Sequence, residues 1–208
     1  MNGNDGGVAV SKSITNPGEN DGDFTIKNAG YNTSQAYGAD KIKGSNRYIS
    51  GFQDNGTWVS PKGENASSSS DYTYQIGGDG FEVITHWDNP DSMMGGYQNN
   101  GFYRSLDGGD SWYYSTTSDM RNNGPFISRL STSYQDPDVV YAVSALGVHK
   151  SKNFGGSWQT IGIGTGWAFL SSSDVEVSQA NPRFVWAGGR MTSTGDVFVS
   201  KNWGDSFS

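Results

Sequence analysis

The chain has 208 residues, with 30 Gly and 13% aromatic residues but only 17% charged ones. Disordered chains lack that aromatic content, and no long 3.6-period apolar segment suggests helices, so an all-β fold with few or no helices is expected. A formal net charge of −7 argues against nucleic acid and anionic membrane surfaces as partners, and the absence of Cys removes disulfides and Cys-based zinc sites.

The N-terminal stretch "MNGNDGGVAVS" has neither a basic n-region nor an apolar h-region, so a secretion signal is expected outside these residues. A first strand, "GVAVS", ends at Ser11 and is followed by a flexible acidic segment, "NPGENDGD" (16–23). That segment lacks the Asp-x-Asp-x-Asp-Gly spacing of an EF-hand loop. Next come "GTWVS", ending at Ser60, and the solvated loop "NASSSSD" (65–71). "GFYRS" ends at Ser105, "GVHKS" at Ser151, and "GDVFVS", with one extra residue, at Ser200. The intervals between these serines are 49, 45, 46 and 49 residues. Such a fixed period is the mark of a repeat architecture.

The segments after these serines repeat too. "SLDGGDSW" (Ser105, Asp107, Gly109, Trp112), "SKNFGGSW" (Ser151, Asn153, Trp158) and "SKNWGDSF" (Ser200, Asn202, Phe207) share Ser-x-Asp/Asn-x-Gly-x-Ser-aromatic. "SPKGENAS" after Ser60 is degenerate, and the segment after Ser11 carries an insertion. Upstream, Pro90, Pro137 and Pro182 each precede an apolar strand, at spacings of 47 and 45 residues. One unit therefore reads as four antiparallel strands: an alternating strand, a Pro turn and apolar strand, a Gly turn and third strand, then the Ser-Asp/Asn turn and a fourth. Four strands in 45 to 49 residues is the size of a propeller blade.

The Ser105–Trp112 stretch and its two Asn versions resemble the Asp-box motif of bacterial neuraminidase repeats. The blades resemble sortilin-like and xyloglucanase-like β-propellers, and stretches such as "GYNTSQAYG" and "GFQDNGTWVS" look like those of secreted bacterial members. The resemblance implies that Asp107 and its counterparts are fold elements: the side chain accepts local N–H bonds, Gly supplies a positive φ, and Trp112, Trp158 and Phe207 are buried between blades. About four and a half blades fit within residues 1–208, fewer than such rings usually hold, so a single partial propeller, a piece of a larger ring, is expected.

Strand order puts the second-to-third-strand turns on the rim opposite the repeated turns. They hold Asn4 and Asp5, then Gln53, Asp54 and Asn55, then Gln98 and Asn99, with Ser144 in the fourth; Asp79 and Trp167 enter the same rim from connections. These amides and carboxylates suit sugar hydroxyls, a protein backbone or Ca²⁺. No other cofactor, and no metal centre, is expected. Trp58, Trp167 and Phe102 are the aromatic anchors near this rim.

Xyloglucanase-type propellers place a catalytic Asp three residues before the Gly that opens the third strand. Here those positions are Asn4, Gln53, Gln98 and Ser144, and an amide is no general base at neutral pH. Asp79 is the one candidate acid. The six arginines Arg47, Arg104, Arg121, Arg129, Arg183 and Arg190 form no evident cluster of the sialidase kind. His86 and His149 read as ordinary strand residues. The expected function is a non-catalytic extracellular or cell-surface propeller that presents its polar rim to a glycan or protein, or that joins a larger surface assembly. The alternative is a glycoside hydrolase with catalytic residues partly outside this chain.

Overall fold

The structure is a computed structural model. It describes the backbone of residues 2–4, 7–13, 15–18, 22–27, 34–170, 173–192 and 195–208, without the side chains of 2–4, 7, 26, 190–192, 195 and 196. Contacts divide the chain into two compact units, residues 1–35 and 36–208. In the first, β1 (Asn2–Asn4), β2 (Gly7–Ser11) and β3 (Phe24–Ile26) form one antiparallel sheet in chain order.

The second unit is a run of propeller blades. The first blade is β4 (Ala36–Lys41), β5 (Tyr48–Phe52), β6 (Gly56–Val59) and β7 (Thr73–Ile76). The second is β8 (Ile84–Thr85), β9 (Met93–Tyr97), β10 (Gly101–Ser105) and β11 (Tyr113–Tyr114). After the short helix α1 (Ser118–Asn123) comes the third: β12 (Ser131–Ser133), β13 (Asp136–Ser144), β14 (Gly147–Ser151) and β15 (Gln159–Ile161). The fourth holds β16 (Asp174–Val177), β17 (Val185–Thr192) and β18 (Gly195–Ser200). Each sheet is antiparallel in chain order, three of them four-stranded and the last three-stranded. The short helix α1 fits the expectation of few or no helices. Its cause is local: the Thr117 hydroxyl caps it by accepting from Met120 N at 3.3 Å, and Met120 is fully buried beneath it.

Between consecutive blades lies an apolar layer. Ile42, Ile49, Val59, Val83 and Met93 fill the first, with Trp112 against them. Ile84, Met94, Phe102, Leu130, Val140 and Ala142 fill the second, with Trp158 against them. Tyr141, Val143, Val148, Val175, Val185 and Ala187 fill the third, flanked by Trp167 and Phe207. A middle strand is therefore buried on both faces, which is why β13 ends in the unbroken buried run Val140–Ser144. The blades approach closely where Gly allows it. A Cβ on Gly51 would stand 2.1 Å from the Phe81 carbonyl oxygen.

The repeated turns join the third and fourth strands of a blade. The Asp107 carboxylate accepts from Ser105 Oγ at 2.8 Å, from Ser111 N at 2.9 Å and from the Ser111 hydroxyl, while Ser105 Oγ accepts from Gly109 N at 2.9 Å. Asn153 and Asn202 accept from Ser157 N and Ser206 N at 2.8 and 3.1 Å in the same way. Ser151 and Ser200 accept from Gly155 N and Gly204 N, each at 2.8 Å. The Ser111 bonds, above all, hold the Asp107 carboxyl down to about 2. Trp112, Trp158 and Phe207 are half-buried rather than buried, because each lies across the mouth of an interblade layer instead of inside it.

Candidate ligand-binding site

Two β-turns and one Gly-rich connection bring the central rim residues together. Asp54 at φ +61° and Asn99 and Asn100 at φ +58° and +55° adopt the left-handed conformation that short polar side chains tolerate, closing the β5–β6 and β9–β10 turns. Asp79 lies between them in residues 77–80. Its Oδ1 accepts from Asp54 N at 3.0 Å, and its own N–H donates to Gln98 Oε1 at 3.2 Å. Gln98 thus ties the second blade to the connection leaving the first.

Trp58 and Tyr74 face each other across the β6–β7 pair, with ring centroids 5.3 Å apart and edge-on. Trp58 Nε1 donates to Asn55 O at 2.6 Å, which fixes the indole beside the turn. Asp54, Asn55, Trp58, Tyr74, Gly78, Asp79 and Gln98 together line an open depression of about 450 Å³. A second depression, of about 470 Å³, is lined by Gln75, Gly78, Tyr97, Gln98, Tyr103 and Trp112 among others. Gly78 and Gln98 belong to both, so the two depressions adjoin at the rim: one lies on the Trp58–Tyr74 face of the first blade and the other at its junction with the second blade, and together they make the candidate cleft.

The second half of the cleft is built on tyrosines. Tyr97 and Tyr103 have centroids 6.2 Å apart, and Tyr103 meets Tyr114 edge-on at 5.2 Å. Partial burial, then the nearby Tyr97, raises the Tyr114 phenol above its ordinary value. Arg121, from α1, stands 4.8 Å over the Tyr97 ring and donates to the carbonyls of Gln98 and Asn99 at 2.5 and 2.9 Å. Trp112 Nε1 donates to Gln75 Oε1 at 2.9 Å, so the repeated turn also orients an amide of the cleft.

The other sequence-derived candidates lie elsewhere. Trp167 packs at the last interblade layer and donates from Nε1 to Ser144 O at 3.2 Å. Phe102 is fully buried in the core and is no surface anchor, since its position in β10 faces the next blade. Gln53 supplies a carbonyl to Asn55 Nδ2 at 3.1 Å. Asn4 sits in β1 with its side chain outside the described residues, as does the side chain of Arg190, and Asp5 lies outside them altogether. Among the described residues no group of three or more His, Asp or Glu is arranged to hold a metal ion. His149 is fully buried, with Nε2 2.7 Å from Ser144 Oγ and Nδ1 3.0 Å from Thr160 Oγ1; burial lowers its pKa to about 4.

One cluster is absent from the sequence-level candidates. Glu82, Arg129 and Asp174 belong to the first strands, or their approaches, of three consecutive blades. Arg129 Nη1 stands 3.2 Å from Glu82 Oε2, and its Nε 3.8 Å from Asp174 Oδ2. Burial raises the Glu82 carboxyl to about 7 even with Arg129 beside it. The signal was available: each residue stands eight positions before Pro90, Pro137 or Pro182.

No family model and no curated protein matches the chain. Its fold is that of solved β-propellers. An ancestral GH74 enzyme superposes with a TM-score of 0.59 at 17% identity, over 84% of this chain and 24% of that one. The GH74 xyloglucanase from Xanthomonas campestris gives 0.57 at 14% identity, over the same shares. YCF48 from Cyanidioschyzon merolae gives 0.56 at 14% identity, over 84% of this chain and 55% of that one. The chain thus spans a quarter to about half the length of these proteins, and identities this low speak to the fold alone. No helix among the described residues is long and apolar enough to cross a membrane.

Proposed function

We propose that this chain is a non-catalytic propeller module, extracellular or at a cell surface, that binds a glycan chain across these two adjoining depressions. The repeated turns are, in this reading, Asp-box elements of the bacterial neuraminidase type on a sortilin-like or xyloglucanase-like propeller. The observation that carries the proposal is that the two depressions adjoin at Gly78 and Gln98. Two adjoining open depressions suit a polymer better than a compact metabolite. Trp58, Tyr74 and Tyr103 offer aromatic surface for the C–H faces of sugar rings. Asn55, Gln75 and Gln98 offer amide donors and acceptors for hydroxyls. The cleft is open and not deeply apolar, which fits weak, extended contact rather than enclosure of a small ligand.

A second reading is a glycoside hydrolase of the kind named in the GH74 structures. Two carboxylates of one depression, Asp54 and Asp79, favour it, since the common mechanism needs a pair. Against it stand Gln53 and Gln98 at the positions where the enzyme resemblance calls for Asp. A glycan array run beside a polysaccharide-hydrolysis assay separates the two. Saturable binding without turnover, weakened by Gln98→Ala, supports the module; release of reducing sugar that Asp79→Asn abolishes supports the enzyme. Binding to proteins but to no glycan would retain the module and reject its ligand class.

A further inference from the structure

Four partly exposed rings of this protein hold a cation of their own. Lys43 Nζ stands 4.3 Å over the Trp87 ring, and Arg121 stands 4.8 Å over Tyr97. Arg183 is 5.3 Å over Trp203, and Lys41 Nζ is 5.9 Å over Tyr48. In each case the positive charge lies against the negative π-face of the ring. Trp58 and Tyr74 are arranged differently. Their rings meet at 68° with centroids 5.3 Å apart, which makes a corner, and Tyr74 is 52% exposed. The corner is set in advance, because the bond from Trp58 Nε1 to Asn55 O holds the indole. Among the described residues no Lys or Arg stands over either ring.

Negative charge is supplied at the same corner. Asp54 and Asp79 line its depression, and no Lys or Arg side chain lines that depression or the adjoining one. Among the described residues Asp79 makes no ion pair, and its Oδ1 accepts only from Asp54 N, at 3.0 Å. Arg121, beside the tyrosines, is committed to the carbonyls of Gln98 and Asn99. Ring faces and carboxylates without a cation of their own are complementary to an ammonium group, and the net charge of −7 draws cations to this surface. A carboxylated or sulfated sugar would meet like charge here and no cation.

We propose that the Trp58–Tyr74 depression is a subsite for a protonated amine, and that the glycan of this cleft carries amino sugars with free amino groups. The inference rests on the glycan reading and narrows it. The amine sits in the ring corner and donates to the Asp79 carboxylate. A ring-borne amine suits the place better than a lysine side chain. The sugar ring is rigid and its C–H face covers the indole, whereas a lysine gives up the rotamer freedom of its long stem. Neighbouring sugars continue past Gly78 and Gln98 into the depression lined by Gln75, Tyr97 and Tyr103.

The test is titration calorimetry at about 0.15 M salt, which screens long-range attraction. It compares a glucosamine oligosaccharide with its fully N-acetylated counterpart of the same length, since acetylation removes the charge and keeps the ring. The expected result is about tenfold tighter binding of the free-amine oligomer. Asp79→Asn should bring that ratio to about one, because the amide keeps an acceptor for Asp54 N–H but carries no charge. Asp71→Asn, outside both depressions, makes the same change in net charge and should leave the ratio as it is. Equal affinities, tighter binding of the acetylated oligomer, or binding of a neutral array glycan with neither oligomer bound overturns the inference and leaves the glycan reading standing. A ratio that Asp71→Asn lowers as much as Asp79→Asn overturns it too, by assigning the preference to overall charge. Binding of an oligolysine peptide and of neither oligomer would give the corner to a protein cation, against the amino sugar. Binding of neither oligomer and of no array glycan rejects the glycan reading, and this inference with it.

Discussion

The Glu82 carboxylate lies 3.2 Å from the Arg129 guanidinium, across the boundary between the second and third blades, and still holds its proton until about pH 7. Burial outweighs the ion pair here. A half-desolvated carboxylate loses more hydration than one partner at that distance restores, and Asp174 and Glu176 add like charge.

Stability should therefore depend on this residue with a definite sign. An unfolded Glu releases its proton near 4.5, whereas the folded one does so near 7. Between those values the native state binds more protons, so stability falls as pH rises through the window and levels off above it. Glu82→Gln should remove that slope, leaving the variant more stable than wild type by roughly 1–3 kcal/mol above pH 7. Urea unfolding at pH 4.5 and 8 checks it, and parallel curves for the two proteins would contradict it.

His149 works in the opposite direction. Its imidazole is neutral when folded down to about pH 4, while an unfolded His gains a proton near 6.5. Stability from this site is complete above 6.5 and is lost as pH falls from 6.5 to 4. Phe198 occupies the register position of His149 one blade later, so His149→Phe keeps the aromatic volume. It should abolish roughly 2–3 kcal/mol of acid-side loss. The two windows overlap with opposite slopes, so wild-type protein alone should look deceptively flat between pH 5 and 6.5. The single variants reveal each slope in urea titrations.

Gly155 and Gly162 make a matched pair. Gly155 has φ +76°, and its added Cβ would lie 2.6 Å from both Met94 Cε and Ser115 Oγ; around Gly162 nothing lies within 4 Å. Gly155→Ala should cost about 1–3 kcal/mol through overpacking and strain, and Gly162→Ala should stay within about 0.5 kcal/mol of wild type. Equal melting temperatures for the two variants would contradict the packing described for the interblade layers.

The repeat made the fold legible. Serines at a near-constant interval and prolines ahead of apolar strands fix strand count and order, because each strand's alternation and each turn's φ demand are local. The cleft was legible only in part. Gln98, Asp54, Asn55 and Asp79 stand out as turn residues, yet Tyr74 and Gln75 sit on the fourth strand β7 and Tyr103 on the third strand β10, where they look like any half-exposed sheet position. The meeting of Gln75 and Tyr103 depends on how the first blade's fourth strand packs beside the second blade's third, which no local pattern encodes. The reverse held for Phe102: it adjoins a polar turn in sequence, but strand alternation turns it into the core. Helix α1 escaped because six residues carry too little periodicity to register.

The last prediction concerns the cleft. Tyr74 is 52% exposed and lines it, and Tyr113 is 57% exposed but does not. Neighbouring residues on a strand point to opposite faces, so Tyr113 looks away from the Tyr103–Tyr114 pair. If the aromatic wall binds sugar rings, Tyr74→Ala should weaken binding of the best array glycan by about tenfold, corresponding to about 1.4 kcal/mol. Tyr113→Ala should leave it unchanged. Trp112→Phe should weaken it less than Tyr74→Ala, because it removes the indole N–H that orients Gln75 but keeps a ring across the layer. Titration calorimetry on the three variants, with melting temperatures to confirm folding, gives the order. Binding that Tyr74→Ala leaves intact while Tyr113→Ala removes would move the ligand site off this cleft and onto the opposite face of the second blade.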